Sequence, residues 1–309
     1  MEEIYIGDLI KRRRHELGLT QENLCFGICE PMTISRIENG KQLPSPSHLK
    51  AILERLDLPE DGICKYLGQK EYDNEQKING ILKQFVKVIY CDESERIDEF
   101  NRMLNLIDLL KNENDISSPD YQLLTLIKNG LLLRENELSL DEYIEQITDI
   151  INKTNPKFQL CNISKCLYSY VEFTAIILLA RAYHMAGDNA KSSLLFNQLI
   201  QYAKEHETLS NSYNHLLIYL MVNYLSFLED SKKYDDTYQL SLYCQKQCIE
   251  KEEYHFLPII VEIEADCLMN LKKEKNEILE LYKEAYYCYR LLDEDYRANI
   301  VKQKIDGIK

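Results

Sequence analysis

Tryptophan is absent from the 309 residues, and glycine and proline are scarce, at ten and seven. An average chain gives about 12% of its positions to glycine and proline together, and collagen-like, disordered or turn-rich all-β chains need those residues or far fewer apolar ones, so these classes are excluded. Long hydrophobic runs are missing too. No stretch approaches the ~20 apolar residues that span a bilayer, and Glu2, Glu3 and Asp8 stand where a secretory leader would carry cations and an apolar run. A cytoplasmic protein with no membrane contact is expected. Positive charge is in deficit: 37 Lys and Arg against 51 Asp and Glu give a net charge of −14. The molecule as a whole therefore repels polyanions, and any contact with DNA must come from a local patch.

Signatures of catalysis are lacking. There is no glycine-rich phosphate loop, nucleophile elbow or HExxH motif, and His15, His48, His184, His206, His215 and His255 show no catalytic spacing. No enzyme is expected. Among the ten cysteines, Cys161 with Cys166 and Cys244 with Cys248 come nearest to a metal pattern, but neither is a CxxC doublet or accompanied by paired histidines. Most cysteines sit among Leu, Ile and Tyr and read as reduced, buried small hydrophobes. Neither metal nor cofactor is expected.

What is present is helical and globular: 45% hydrophobic residues, 28% charged, and 22 tyrosines. At roughly 150 residues per domain the length suggests two units. Charge is divided unevenly, because residues 1–66 carry nine Lys or Arg against eleven Asp or Glu, and the remaining −12 falls on residues 67–309. Cations in the first part gather at Lys11, Arg12, Arg13 and Arg14 and recur at Arg36, Lys41 and Lys50, so a positive face is possible there.

Ile6, Leu9, Ile10 and Leu17 recur at helical spacing until Gly18, which suits a left-handed helix end. Thr20 caps a second short helix that Gly27 ends, and Pro31 or Met32 opens a third that closes at Gly40. Met32 fits either a solvent-facing or a core position. A further helix is predicted from a Ser47 cap to Leu56, followed by a short fifth piece from Pro59 to Leu67, and the first domain ends near residue 68.

The strings Leu-Thr-Gln-Glu-Asn-Leu at 19–24 and Thr-Ile-Ser-Arg-Ile-Glu-Asn-Gly-Lys at 33–41 closely resemble the Xre/Cro/phage-repressor helix-turn-helix family. Two short helices in this arrangement place the second in the major groove while the first crosses the backbone. The resemblance implies DNA binding through seven residues. Gln21 would bond a phosphate or base; Pro31, Met32, Thr33 and Arg36 would face the groove, Arg36 as a fork for guanine O6 and N7; Asn39 and Lys41 would lie near a phosphate. It also implies an Arg14–Glu38 pair locking the first helix to the third. Pro31 and Met32 depart from the polar residues many members use there, which favours thymine-methyl contact over hydrogen bonds.

From Asn74 onward, apolar residues keep the spacing of helices, broken by polar segments at 91–95, 112–120, 134–139, 152–157, 187–189, 205–213, 229–235, 251–256 and 271–276, which delimit about ten helices. Residues 182–188 with Leu195-Phe196 resemble a tetratricopeptide pair, repeated loosely around Lys232-Lys233-Tyr234 and Lys272-Lys273, with turn-to-turn spacings of 45 and 40 residues. The expected fold is all-α: a five-helix head at 1–68, then a right-handed superhelix of tetratricopeptide-like pairs at 69–309, whose concave surface suits an extended peptide.

Head and array together resemble the Rgg/PlcR branch of the RRNPP peptide-pheromone receptors. That likeness implies a homodimeric transcriptional regulator that binds an inverted repeat in double-stranded DNA and responds to a short signalling peptide, as in quorum sensing. It further implies that Asn223, eleven residues before Tyr234, clamps the peptide backbone with its amide. Arg181 would meet a carboxylate, and repeat register adds Tyr219, Glu262 and Asp266 to the same wall. Two alternatives stay open on the residues alone: a repressor of a phage or mobile element answering to a protein antagonist, and a tetratricopeptide interaction scaffold that does not bind DNA.

Overall fold

The computed structural model describes residues 6–56, 58, 76–78, 80–82, 84–85, 93–112, 118–163, 166–205 and 211–308. The described residues are helical, with no strand among them. The helices are α1 (Ile6–Glu16), α2 (Gln21–Cys25), α3 (Pro31–Glu38), α4 (Pro46–Arg55), α5 (Glu93–Lys111), α6 (Ser118–Arg134), α7 (Leu140–Thr154), α8 (Tyr170–Met185), α9 (Asn189–Glu205), α10 (Asn211–Asp230), α11 (Tyr234–Glu250), α12 (Leu257–Asn270), α13 (Lys275–Leu291) and α14 (Asp295–Ile308), with a 3-10 turn at Tyr254–Phe256. None is long and apolar enough to cross a membrane. The chain divides into two compact units, residues 1–89 with 97–213 and residues 90–96 with 214–309.

In the first unit, α1 to α4 close around Ile10, Leu24, Ile34, Ile37, Leu49, Ile52 and Leu56. Each such buried aliphatic contributes about 1.5–3 kcal/mol by leaving water, which is what holds these short helices together. The Thr20 hydroxyl accepts the amide of Asn23, as a cap should. Gly18, Gly27 and Gly40 all have positive φ, near +70°, the conformation for which glycine is chosen. One cap differs from expectation. Ser45, not Ser47, receives the His48 amide, because Pro46 takes the first helical position where its missing N–H costs nothing. The predicted fifth piece, 59–67, and the boundary near 68 lie outside the described residues.

Beyond the head, α5 and α6 share a core of Phe100, Met103, Ile107, Leu124, Ile127 and Leu131, and α6 to α9 pack in succession. Helix α5 already starts at Glu93, inside the predicted break at 91–95. The described residues between α7 and α8, 155–163 and 166–169, run irregularly, although polar punctuation predicts a break only to 157. Their end is set by a capping box: Ser169 and Glu172 exchange backbone and side-chain hydrogen bonds at the start of α8.

The second unit layers α10, α11 and α12 around Ile218, Leu225, Cys244, Cys248, Ile260 and Cys267, and α12, α13 and α14 around Val261, Tyr282, Tyr289 and Val301. A break at 292–294, between α13 and α14, went unpredicted. The eight described cysteines are free thiols; Cys25, Cys244, Cys248 and Cys267 are buried, while Cys161 is exposed, against the general expectation of burial. Burial pushes the Cys248 and Cys267 thiols up to about 12, so neither is a ready thiolate.

Candidate functional site

Helix α3 divides its residues by face. Ile34, Ile37 and Glu38 point into the head, whereas Pro31, Met32, Arg36, Asn39 and Lys41 are exposed and Thr33 is half-buried. Met32, which suited either position in sequence, is 64% exposed. Neither Met32 nor Arg36 has a side-chain hydrogen bond or ion pair among the described residues, so an apolar thioether and a free guanidinium share one open surface. The Asn39 amide is tied back to the Ser35 carbonyl at 2.7 Å.

The inner face explains why that surface holds its orientation. Arg14 donates Nε to Glu38 Oε1 at 2.6 Å and an Nη to Oε2 at 2.8 Å, both side chains being buried, so α1 and α3 are joined by the expected pair, in bidentate geometry. Arg14 also donates to the Leu19 carbonyl at 2.8 Å. Gln21 lies on the same carboxylate, its amide donating to Glu38 Oε2 at 2.7 Å. One of its two N–H groups is thereby committed to Glu38. Burial pushes the Glu38 carboxyl up, but the hydrogen bonds from Arg14 and Gln21 and the Arg14 charge more than offset this, leaving it below its ordinary value. Arg14 is raised, chiefly by its bond to Glu38.

The five residues predicted to face a peptide fall in both units. Arg181 is exposed on α8 of the first. Tyr219, Asn223, Glu262 and Asp266 belong to the second. There Asn223 is only 2% exposed and its amide donates to the Tyr219 carbonyl at 2.6 Å, one turn back on α10. Tyr219 is half-buried, its ring 6.4 Å from that of Phe256.

Glu262 and Asp266, one turn apart on α12, are brought together by residues that sequence reasoning missed. Lys304 of α14 donates to Glu262 Oε1 at 2.9 Å and to Asp266 Oδ2 at 2.6 Å. The Tyr289 hydroxyl donates to Glu262 at 2.9 Å, the Tyr282 hydroxyl to Asp266 at 2.5 Å, and Arg297 lies 3.5 Å from Glu262. Two carboxylates thus face two cations, a balance that burial requires. A signal was available: Tyr282 and Tyr289 are seven residues apart on one face of α13, and two buried phenols need two acceptors.

Comparison with known proteins begins at the head, where the helix-turn-helix family matches residues 10–63. Those residues are a helix-turn-helix domain. No curated protein sequence matches the chain. Among solved structures, PlcR of Bacillus thuringiensis, crystallised in complex with the peptide PapR7 and DNA, is similar at 18% identity and a TM-score of 0.63, covering 96% of this chain and 98% of its own. ComR of Streptococcus vestibularis, in complex with its cognate signalling peptide, gives 17% and 0.54 over 98% of each chain. ComR of S. thermophilus, with DNA and its signalling peptide, gives 17% and 0.52 over 98% and 99%. This chain has the fold of these proteins from the helix-turn-helix head to the last helix.

Proposed function

We propose that this chain is a DNA-binding transcriptional regulator of the peptide-receptor kind, in which α3 reads the major groove and a short signalling peptide controls the helical array. The exposed α3 face carries the reading: Met32 and Arg36 point outward and unpaired while Arg14, Gln21 and Glu38 brace the inner side. An exposed guanidinium on the second helix of such a motif suits a guanine fork, and Met32 a thymine methyl. Thr33 and Pro31 flank them; Gln21, Asn39 and Lys41 serve the phosphates. The local cations of the head supply attraction that the acidic chain as a whole does not.

Support for the peptide half is the likeness over nearly the whole chain to PlcR, crystallised with the peptide PapR7, and ComR, crystallised with its signalling peptide. Within that reading Arg181 meets a peptide carboxylate, Tyr219 and Asn223 shape the wall, and Glu262 and Asp266 hold it through Lys304. A homodimer places two α3 helices about 34 Å apart on an inverted repeat, and peptide binding alters that geometry.

Fluorescence anisotropy against DNA from upstream of the chain's own gene tests the head. Arg36→Ala is expected to cost about 1–3 kcal/mol, roughly a 5- to 150-fold loss, with unchanged thermal stability. Lys41→Ala is expected to reduce the salt dependence by about one ion without altering sequence preference. Parent-like binding by Arg36→Ala would sink the groove assignment. Synthetic peptides from a short secreted reading frame beside the gene, titrated by calorimetry, test the array; Asn223→Ala should weaken that binding and leave peptide-free DNA affinity intact.

A further inference from the structure

His215, Glu253 and His255 meet in the second unit although 40 residues separate the two histidines. His215 is on the first turns of α10. Glu253 and His255 come from the bend after α11, where Glu252 takes a left-handed φ of 60° and the Glu253 amide donates back to the Cys248 carbonyl at 2.9 Å. That closure fixes Glu253 just before the 3-10 turn, which holds His255.

We propose that these three side chains form a binding site for a divalent transition metal of the zinc class. Glu253 Oε2 lies 3.3 Å from His215 Nδ1 and 3.5 Å from His255 Nδ1, and one ligand atom from each residue lies within 4.8 Å of the others. Four ligands held tetrahedrally at 2.0–2.1 Å around zinc are about 3.4 Å apart along each edge. The two distances to the carboxylate match that edge. They are long for charge-assisted N–H···O bonds, which settle at about 2.7–2.9 Å, so mutual hydrogen bonding of the three groups accounts for the arrangement less well than a shared ion does.

The donor set selects the class. Two imidazoles and one carboxylate suit zinc, cobalt or nickel, whereas calcium and magnesium take oxygen alone. Three protein ligands leave the fourth position to water. The side chains retain 36%, 17% and 47% of their exposure, so an ion has a path in. Around them, the imidazoles stack at 5.2 Å with 19° between planes, His255 rests on Phe256 at 3.9 Å, and Lys251 is bonded to Asn214 at 2.9 Å. The ring contacts restrict rotation of the imidazoles, and the Lys251 bond ties the start of α10 to the end of α11. An ion here fastens α10 to the bend after α11, one helical turn from Tyr219.

Metal-stripped full-length protein, titrated with Zn²⁺ by calorimetry and with Co²⁺ by visible absorption, decides the matter. One ion per chain is expected, with cobalt d–d bands and no thiolate charge-transfer band in the near ultraviolet, since no cysteine belongs to the set. His215→Ala and His255→Ala should each weaken Zn²⁺ binding about 100-fold, and the isosteric Glu253→Gln at least about tenfold. At one fixed concentration, Zn²⁺ should raise the melting temperature of the parent and of Cys161→Ser more than that of Glu253→Gln. Should a histidine variant fail to fold, Glu253→Gln and His255→Gln carry the same comparison. Absence of binding, binding insensitive to these substitutions, or a dominant thiolate band would each overturn the site. None of these readouts depends on DNA or peptide, so the proposed regulatory function stands or falls separately.

Discussion

Arg55 and Glu172 form an ion pair across 117 residues of sequence, Nη2 to Oε1 at 3.0 Å, with side-chain exposures of 5% and 1%. Each end is also occupied elsewhere. The other Arg55 amino group donates to the carbonyls of Leu24 and Phe26, at 3.0 and 2.6 Å, where α2 ends. The other Glu172 oxygen accepts the Ser169 amide at 2.7 Å in the box that starts α8. Beside it, Glu54 accepts the Tyr170 amide at 2.8 Å. The end of α4 thus ties the turn of the helix-turn-helix motif to the first turn of α8 within one unit.

Removing one partner of a buried pair strands the other charge, so Arg55→Ala should cost about 3–5 kcal/mol and Glu172→Ala a similar amount, including the lost cap. Replacing both at once should cost less than the sum of the single losses, because no charge is then left unpaired. Denaturant unfolding of the four proteins measures the coupling. Strictly additive losses would mean that the two side chains do not act as a pair.

Gly27→Ala should be among the most harmful single-methyl additions. Gly27 has φ +70°, and a Cβ there would stand 2.3 Å from Thr154 Cγ2 and 2.6 Å from its Cα. Thr154 ends α7 and its hydroxyl accepts the Gln122 amide at 3.1 Å, so it has little room to retreat. A loss of about 2–4 kcal/mol follows from overpacking added to left-handed strain. Thr154→Gly in the same chain should restore part of it; a melting temperature for Gly27→Ala equal to the parent's would contradict the close approach.

Much of the head was legible because its signals are local. Thr20 as cap, Gly18, Gly27 and Gly40 as left-handed ends, and the Arg14–Glu38 pair all follow from residues a few positions apart or from the family resemblance. Ser45 was missed in favour of Ser47 because two prolines and two serines offer competing caps, and Pro46 at the first helical position decides between them. In the array, the start of α8 was readable from Ser169 and Glu172 at capping-box spacing, but apolar residues in 158–168 masked it. Lys304, Arg297 and Arg55 were illegible for a different reason: their partners lie 38, 35 and 117 residues away, and no periodicity links such positions.

Stability should fall on the alkaline side in the second unit. Burial, reinforced by the charge of Asp266, pushes the Glu229 carboxyl up to about 7; burial, with Glu284 and Glu277 adding to it, does the same for Glu264. Both bind a proton more tightly when folded. Their contribution is therefore full below the ordinary carboxyl value of 4.5 and is lost as pH rises through about 7. Glu38 behaves oppositely, stabilising the head above its ordinary value and ceasing to as acid protonates it. Melting curves should show the second unit softening between about pH 5 and pH 8, and Glu229→Gln should flatten that slope and raise stability at pH 8 by about 1–2 kcal/mol. An unchanged slope in Glu229→Gln would assign the effect to other groups.

Scarcity of glycine leaves its own mark on the turns. Lys232, Glu252, Lys272 and Asp293 all hold φ between 56° and 60°, at intervals of 20, 20 and 21 residues, and close α10, α11, α12 and α13. At each, the amide of the left-handed residue reaches back three positions and the next amide five, as Lys272 to Met269 at 3.1 Å and Lys273 to Leu268 at 3.0 Å. This is the Schellman closure, which usually employs glycine. An L-residue pays about 1–2 kcal/mol for that conformation, partly offset by the greater freedom glycine loses on folding. Lys272 is exposed, so Lys272→Gly should stabilise the protein by about 0.5–1 kcal/mol, and Lys272→Val should destabilise it by about 1 kcal/mol because branching at Cβ aggravates the clash. Lys246→Gly, at an exposed position inside α11, should instead lose about 1 kcal/mol. Calorimetric melting of the three variants gives the signs, and a destabilising Lys272→Gly would show that the lysine side chain contributes more there than its backbone conformation costs.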